Sequence, residues 1–263
     1  MIKKFFALIR IQFKNDFVYR ISTVAGIIVG IVQIYIYYHI WNTVYDNVDS
    51  INGYSLPMIS FYVVISNLIF KLVELGITLK ISDEIRLGEI AVKITKPINY
   101  VSSLLCEGIG SLAGKLLTLV VPTSVFCLIG IRVYAQTDIK VVFFFIVSVF
   151  LAILISVYID ILFGLMTFIT ENGWGIRTLR QALIRLLSGA IIPLNFFPGA
   201  VQKICDFLPF KSLIDTPINI YLFGFTKTNL LNFVQQLIWV FVLFSVVHLV
   251  FYKIKNTLQV NGG

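Results

Sequence analysis

VVFFFIVSVFLAILISVYIDILFGLMTFI, Val141 to Ile169, decides the fold. In this stretch Asp160 is the one charged side chain. An apolar run of more than about 18 residues is the signature of a helix that crosses a bilayer. As a helix rising about 1.5 Å per residue it exceeds the roughly 30 Å hydrocarbon layer, so it must tilt or project. Working outward, further apolar runs predict spans at Ser103–Ile131 and Leu56–Leu79 before it and at Leu179–Phe196 and Leu230–Tyr252 after it, with the first at Ile21–Trp41. Leu179–Phe196 is the least regular, because Arg180 and Arg185 intrude near its start and Gly189 and Pro193 interrupt it.

Composition agrees. The chain of 263 residues is 58% hydrophobic and 13% charged, with a mean hydropathy of +0.93. A soluble domain carries about twice that charged fraction. No polar stretch reaches the roughly 50 residues of a separate domain, so residues 1–263 read as one all-α integral membrane domain of about six spans. The net charge of +8 lies between apolar runs, where it orients the chain in a membrane; no nucleic-acid partner is expected. Cys106, Cys127 and Cys205 have no CxxC spacing, and His39 and His248 make no metal-binding pattern, so neither a disulfide framework nor a metal site is expected.

Residues 1–20 place Phe5, Phe6, Ile9, Phe13 and Phe17 on one helical face and Lys3, Lys4, Arg10 and Lys14 on the other. That pattern predicts an interfacial helix lying on anionic lipid rather than a signal peptide. With the N-terminus inside, the inner segments hold Lys3, Lys4, Arg10, Lys14, Arg20, Lys80, Arg86, Lys93, Lys96, Arg177, Arg180, Arg185, Lys253 and Lys255. The outer segments hold only Arg132, Lys140, Lys203, Lys211 and Lys227. This asymmetry predicts both termini in the cytoplasm.

Two segments depart from the alternation of span and turn. Residues 80–100 combine apolar residues at helical spacing, Ile81, Ile85, Gly88 and Val92, with Asp83, Glu84, Arg86, Glu89 and Lys93, and Pro97 closes them. They read as a short amphipathic cytoplasmic helix able to take a partner. Residues 193–220 contain Pro193, Pro198, Pro209 and Pro217. These prolines divide an apolar stretch into pieces too short to cross, which predicts a broken helical hairpin dipping back from the outer side, since irregular backbone at membrane depth survives only when buried in protein or lining a wet cavity.

The motifs in these two segments, Glu84-Ile85-Arg86-Leu87-Gly88-Glu89-Ile90 with Lys96-Pro97, and Ile192-Pro193-Leu194 leading to Phe196-Phe197-Pro198 and Leu208-Pro209-Phe210, resemble those of type-2 ATP-binding-cassette exporter permeases, in particular the six-span subgroup of daunorubicin- and viologen-exporter-like members. The resemblance implies an export permease that works by alternating access with a second permease subunit, identical or different. It implies a cytoplasmic ATPase dimer that docks on Asp83, Glu84, Arg86, Gly88 and Glu89 and on the N-terminal helix. Pro193, Phe196, Phe197 and Pro198 would belong to the outer gate. No cofactor is expected on the chain itself, with ATP held by the partner. At Gly114-Lys115, its nearest approach to a phosphate loop, Ile109 stands in place of the first glycine and Leu116 in place of Ser/Thr, so the chain is not an enzyme by itself. Richness in isoleucine, lysine and asparagine fits a low-GC bacterium, hence a bacterial plasma membrane.

Mostly aliphatic and aromatic spans predict an amphipathic or hydrophobic substrate: a drug-like molecule, a peptide or a lipid-linked compound. Lys71 and Glu74, three residues apart, are placed on one helical face and read either as part of the translocation path or as a mutually neutralising pair. Glu107, Lys115 and Asp160 carry the same two readings, path lining or structural support. A membrane enzyme is disfavoured because no convergent set of catalytic groups appears. A stand-alone carrier or channel is the alternative class, weakened because the broken region has no counterpart in the first half.

Overall fold

The computed structural model describes the backbone at residues 10–13, 20–95, 99–131, 133–170 and 172–261. Residues 10–13 are helical; the remainder of the expected interfacial helix lies outside the described residues, as does Lys96-Pro97. Among the described residues, five stretches are long and apolar enough to cross a membrane: Thr23–Val44, Leu56–Arg86, Tyr100–Cys127, Ile139–Thr170 and Lys227–Lys255.

The first of these lies in α1 (Arg20–Val44), which exposes Ile28, Val29, Val32 and Ile36. A two-residue turn, Asn52-Gly53 with φ of 50° and 83°, joins β1 (Ser50–Ile51) to β2 (Tyr54–Ser55). Positive φ at both turn positions is what asparagine and glycine tolerate best in a tight hairpin. The chain then returns through α2 (Leu56–Val73), most of which is buried.

The span expected at Leu56–Leu79 is broken inside its last third. Glu74 leaves helical geometry with ψ of 80° and Gly76 takes φ of 78°, a left-handed conformation open to glycine at little cost. The chain re-enters a helix as α3 (Ile77–Arg86). The expected single helix through residues 81–92 is broken as well: Gly88, at φ 70°, ends α3 and starts α4 (Glu89–Ile94). α3 packs closely on the long central helix α7 (Ile139–Thr170); a methyl on Gly164 would collide with Ile81.

Between them stands a helix in three parts: α5 (Tyr100–Lys115), a π-helical turn at Leu116–Val120, and α6 (Val121–Gly130). Pro122 accounts for the widened turn. It has no amide hydrogen for the carbonyl four residues earlier, and its ring crowds that carbonyl.

Leu179–Phe196 does not form one helix, which corrects the expected fifth span. Instead α8 (Gly173–Leu187) begins earlier, with Asn172 Oδ1 accepting from the Gly175 amide at 2.9 Å, and stops at Ser188. Gly189 follows at φ 80°. Beyond it come a 3-10 turn at Leu194–Phe196, α9 (Gly199–Phe207), a second 3-10 turn at Lys211–Leu213 and α10 (Asp215–Phe223). α11 (Lys227–Asn261) runs back along α7 until Phe251 stacks on Tyr100.

The bundle therefore has two distinct ends. One, here the basic end, gathers α3, α4 and the starts of α5 and α8. The other, the hairpin end, gathers the β-turn, the broken pieces and α10. A buried polar network ties the hairpin end together. Tyr62 Oη donates to the Gly189 carbonyl at 2.8 Å and lies 3.1 Å from Asp215 Oδ1, Tyr54 Oη donates to Asn219 Oδ1 at 2.7 Å, and Asn219 Nδ2 donates to Asp215 Oδ2 at 2.8 Å. Asn229 Nδ2 reaches the carbonyls of Asn219 and Gly224 at 3.0 and 2.8 Å. Buried polar groups are tolerable only when satisfied in this way.

Candidate functional site

At the basic end the turn between α3 and α4 stands out from the bundle. Leu87 and Val92 are 65% and 63% exposed on it. Asp83 and Arg86 are exposed and 3.3 Å apart, and Glu89 is exposed beside Gly88. Glu84 does not join them. It is buried at 3% exposure, set back from the surface that Asp83, Arg86, Gly88 and Glu89 share. Its carboxylate accepts from Lys93 Nζ and from Tyr100 Oη, both at 2.6 Å, and so clamps α4 and the start of α5 onto α3. Burial acts to lower the Lys93 ammonium pKa, yet hydrogen bonding and charge from Glu84 and Glu89 hold it above its ordinary value. Lys80 forms an ion pair with Glu107, and Gln12 lines the same small cavity as these two.

Lys71 and Glu74 do not pair. The helix ends between them, so the three-residue spacing no longer sets a shared face. Lys71 Nζ instead donates to the Gly26 carbonyl of α1 at 2.8 Å, in a recess where a methyl on Gly30 would overlap it. Glu74 turns to α8, where Arg177 Nη2 is 2.5 Å from its Oε1 and the Gln181 amide donates to the same oxygen. Lys115 Nζ donates to the Glu74 backbone carbonyl. The Arg185 guanidinium lies over the Phe70 ring, 5.0 Å from its centroid. Lys71, Glu74, Lys115 and Arg185 thus line one cavity of about 270 Å³ between α1, α2, the three-part helix and α8.

Asp160 is taken up by a structural contact. Its carboxylate, wholly buried, is 3.1 Å from Arg180 Nε, itself 1% exposed. Thr78 Oγ1 bonds to Asp160, and Arg180 Nη2 donates to the Val73 carbonyl at 2.9 Å and to Ser156 Oγ at 3.2 Å. This pair fastens α8, α7 and the break between α2 and α3 together.

The model of the family described as ABC-2 family transporter protein matches residues 6–262. The chain belongs to that family. No curated protein sequence matches it. As an ABC-2 permease it is a multi-pass membrane component of a transporter, distinct from the nucleotide-binding domain. In this ABC-2 permease the gate residues named from sequence stand at the hairpin end. Phe196 packs on Trp41 of α1 and on Tyr54, with centroids 5.3 and 5.7 Å away. Pro193 is buried and Pro198 is exposed at the start of α9. The Phe197 carbonyl accepts from Gln202 Nε2 at 2.8 Å. Sequence reasoning counted Arg177, Arg180 and Arg185 with the inner segments and missed that Arg180 is buried, that Arg177 reaches Glu74 and that Arg185, though exposed, covers Phe70. Their spacing with apolar Ile176, Leu183 and Ile184 was the available signal of a helix packed on one side.

Proposed function

We propose that this ABC-2 permease is the membrane subunit of an exporter that moves an amphipathic or hydrophobic substrate by alternating access. Two cytoplasmic ATP-binding-cassette ATPase subunits supply the energy, and a second permease subunit, the same chain or another, completes the pathway. The basic end faces the bacterial cytoplasm, with both termini there, as the distribution of lysine and arginine favours. α8 and the broken pieces after it count together as a sixth crossing, running from the basic end at Gly173 to the hairpin end. The hairpin end closes the outer exit, with Phe196 against Trp41 as its link to α1.

The observation that carries this reading is the braced turn between α3 and α4. Leu87 and Val92 are held out in water beside Asp83, Arg86 and Glu89, while the buried Glu84 clamp fixes the turn to the bundle. A rigid protrusion of this kind passes a partner's movement into the helices it is braced on. Co-expression with a phosphate-loop ATPase encoded beside the chain, followed by co-purification in detergent, tests it. Wild type should retain the ATPase, and Arg86→Glu with Leu87→Asp should lose it while remaining folded. Retention by the variant would remove this turn from the docking surface, and no retention even by wild type would defeat the proposed partnership.

A further inference from the structure

The cavity beside Lys71 has a charge that the permease reading leaves unused. Three of its lining residues, Lys71, Lys115 and Arg185, are basic and one, Glu74, is acidic. The Glu74 carboxylate is also engaged by a fourth cation, Arg177. Among the described residues neither Lys71 nor Arg185 meets a carboxylate: the first is held by a backbone carbonyl and the second by an aromatic face. Lys71 is half-buried within an apolar span, where an ionisable side chain is costly and is retained where it faces a partner charge or a path.

The surroundings fix where these cations stand. Lys71 is seated by Gly26 and Gly30, where any larger residue at position 30 would displace the ammonium. Lys115, just before the π-helical turn, and Leu119, within it, reach the cavity, while Leu116 and Val120 of the same turn line a separate apolar cavity of about 330 Å³. Such turns recur where a helix has to re-aim side chains at a site. Val29, Phe70 and Leu119 give the cationic cavity an apolar wall, and Val29 is exposed on α1 next to Ile28 and Val32, so that wall continues onto the outer apolar face of the helix.

The geometry points to an amphiphile with an anionic head, a phosphate or a carboxylate, as the ligand of this cavity. The head is held by Lys71, Arg185 and Lys115, and the tail lies along the apolar face of α1. Two guanidinium or ammonium groups converging on one anion give charge-assisted hydrogen bonds of the stronger kind. A cationic ligand is repelled from the same place. Calling this ligand the cargo rests on the exporter reading, but its binding does not, and the test needs no ATPase.

Equilibrium binding of short-chain phosphatidate to the delipidated, detergent-purified chain, with short-chain phosphatidylcholine and inorganic phosphate as the other two probes, tests the assignment. Wild type should prefer phosphatidate to both by about tenfold or more, the order expected of one or two charge-assisted bonds. Lys71→Gln and Arg185→Gln should each lose about tenfold, Lys71→Arg should keep most of the binding, and Gly30→Ala should weaken it with every charge still in place. A variant's thermal unfolding midpoint, unchanged from wild type, separates loss of the site from loss of the fold. Equal binding of phosphatidylcholine, or folded variants that bind as wild type does, would overturn the anionic head. Inorganic phosphate binding as tightly as phosphatidate would overturn the amphiphile and leave a site for a small soluble anion.

Discussion

Arg180 and Arg185 are five residues apart on α8 and meet opposite treatment. Arg180 is closed away in an ion pair with Asp160 at 3.1 Å, and its Nη2 donates to the Val73 carbonyl and to Ser156 Oγ. Arg185 lies over Phe70 at a cavity with more cations than carboxylates. The first arrangement supplies its own counter-charge and so acts as a rivet. The second leaves the counter-charge to come from outside the described protein, as a binding site does. The difference teaches that charge count within a membrane helix says little until each charge's partner is known.

The largest effect expected from this comparison is at the rivet. Asp160→Asn leaves a buried guanidinium without its anion, and breaking one side of a buried pair costs about 3–5 kcal/mol. The thermal unfolding midpoint in detergent should fall steeply, and Asp160→Leu with Arg180→Met should recover a large part of the loss. If Asp160→Asn unfolds like wild type, the pair is not what fastens α8. A smaller effect of opposite character is expected at the cavity: Lys71→Gln with Arg185→Gln should change stability by less than about 1 kcal/mol, because no internal ion pair is lost. A steep fall there would make the cavity a second rivet and erase the contrast.

The smallest effect is at the hairpin end. Lys211 Nζ and the Asp206 carboxylate are 2.5 Å apart with Asp206 exposed, and a pair open to solvent on one side contributes about 0–1 kcal/mol. Asp206→Asn should therefore lower the thermal unfolding midpoint only marginally. A fall as steep as that of Asp160→Asn would show that burial does not set the worth of an ion pair in this bundle.

Most of the helical stretches were legible because hydropathy is a local property. Val141–Ile169 lies within α7, and the apolar runs around it correspond to α1, α2 and the π-interrupted helix, and α11. The prolines of residues 193–220 correctly marked the division into short pieces, since a missing amide and a fixed φ act on the chain wherever it is placed. Asn52-Gly53 likewise carries a readable signal of the small β-turn.

Pairing was not legible. Lys71 and Glu74 share a face only if the helix continues, and it ends between them. Glu84 sits among exposed charges in sequence but is buried because Tyr100 and Lys93 fold back over it. The sequence by itself determined that this is a membrane protein of ABC-2 type, since chain hydropathy, proline placement and a few local motifs suffice for that. Only the tertiary structure decided which charge meets which: Glu74 with Arg177 and Asp160 with Arg180 are contacts across 103 and 20 residues. The physical reason is that a helix's residues are neighbours by spacing, whereas the partner of a buried charge is whichever group the packing of separate helices brings within about 4 Å.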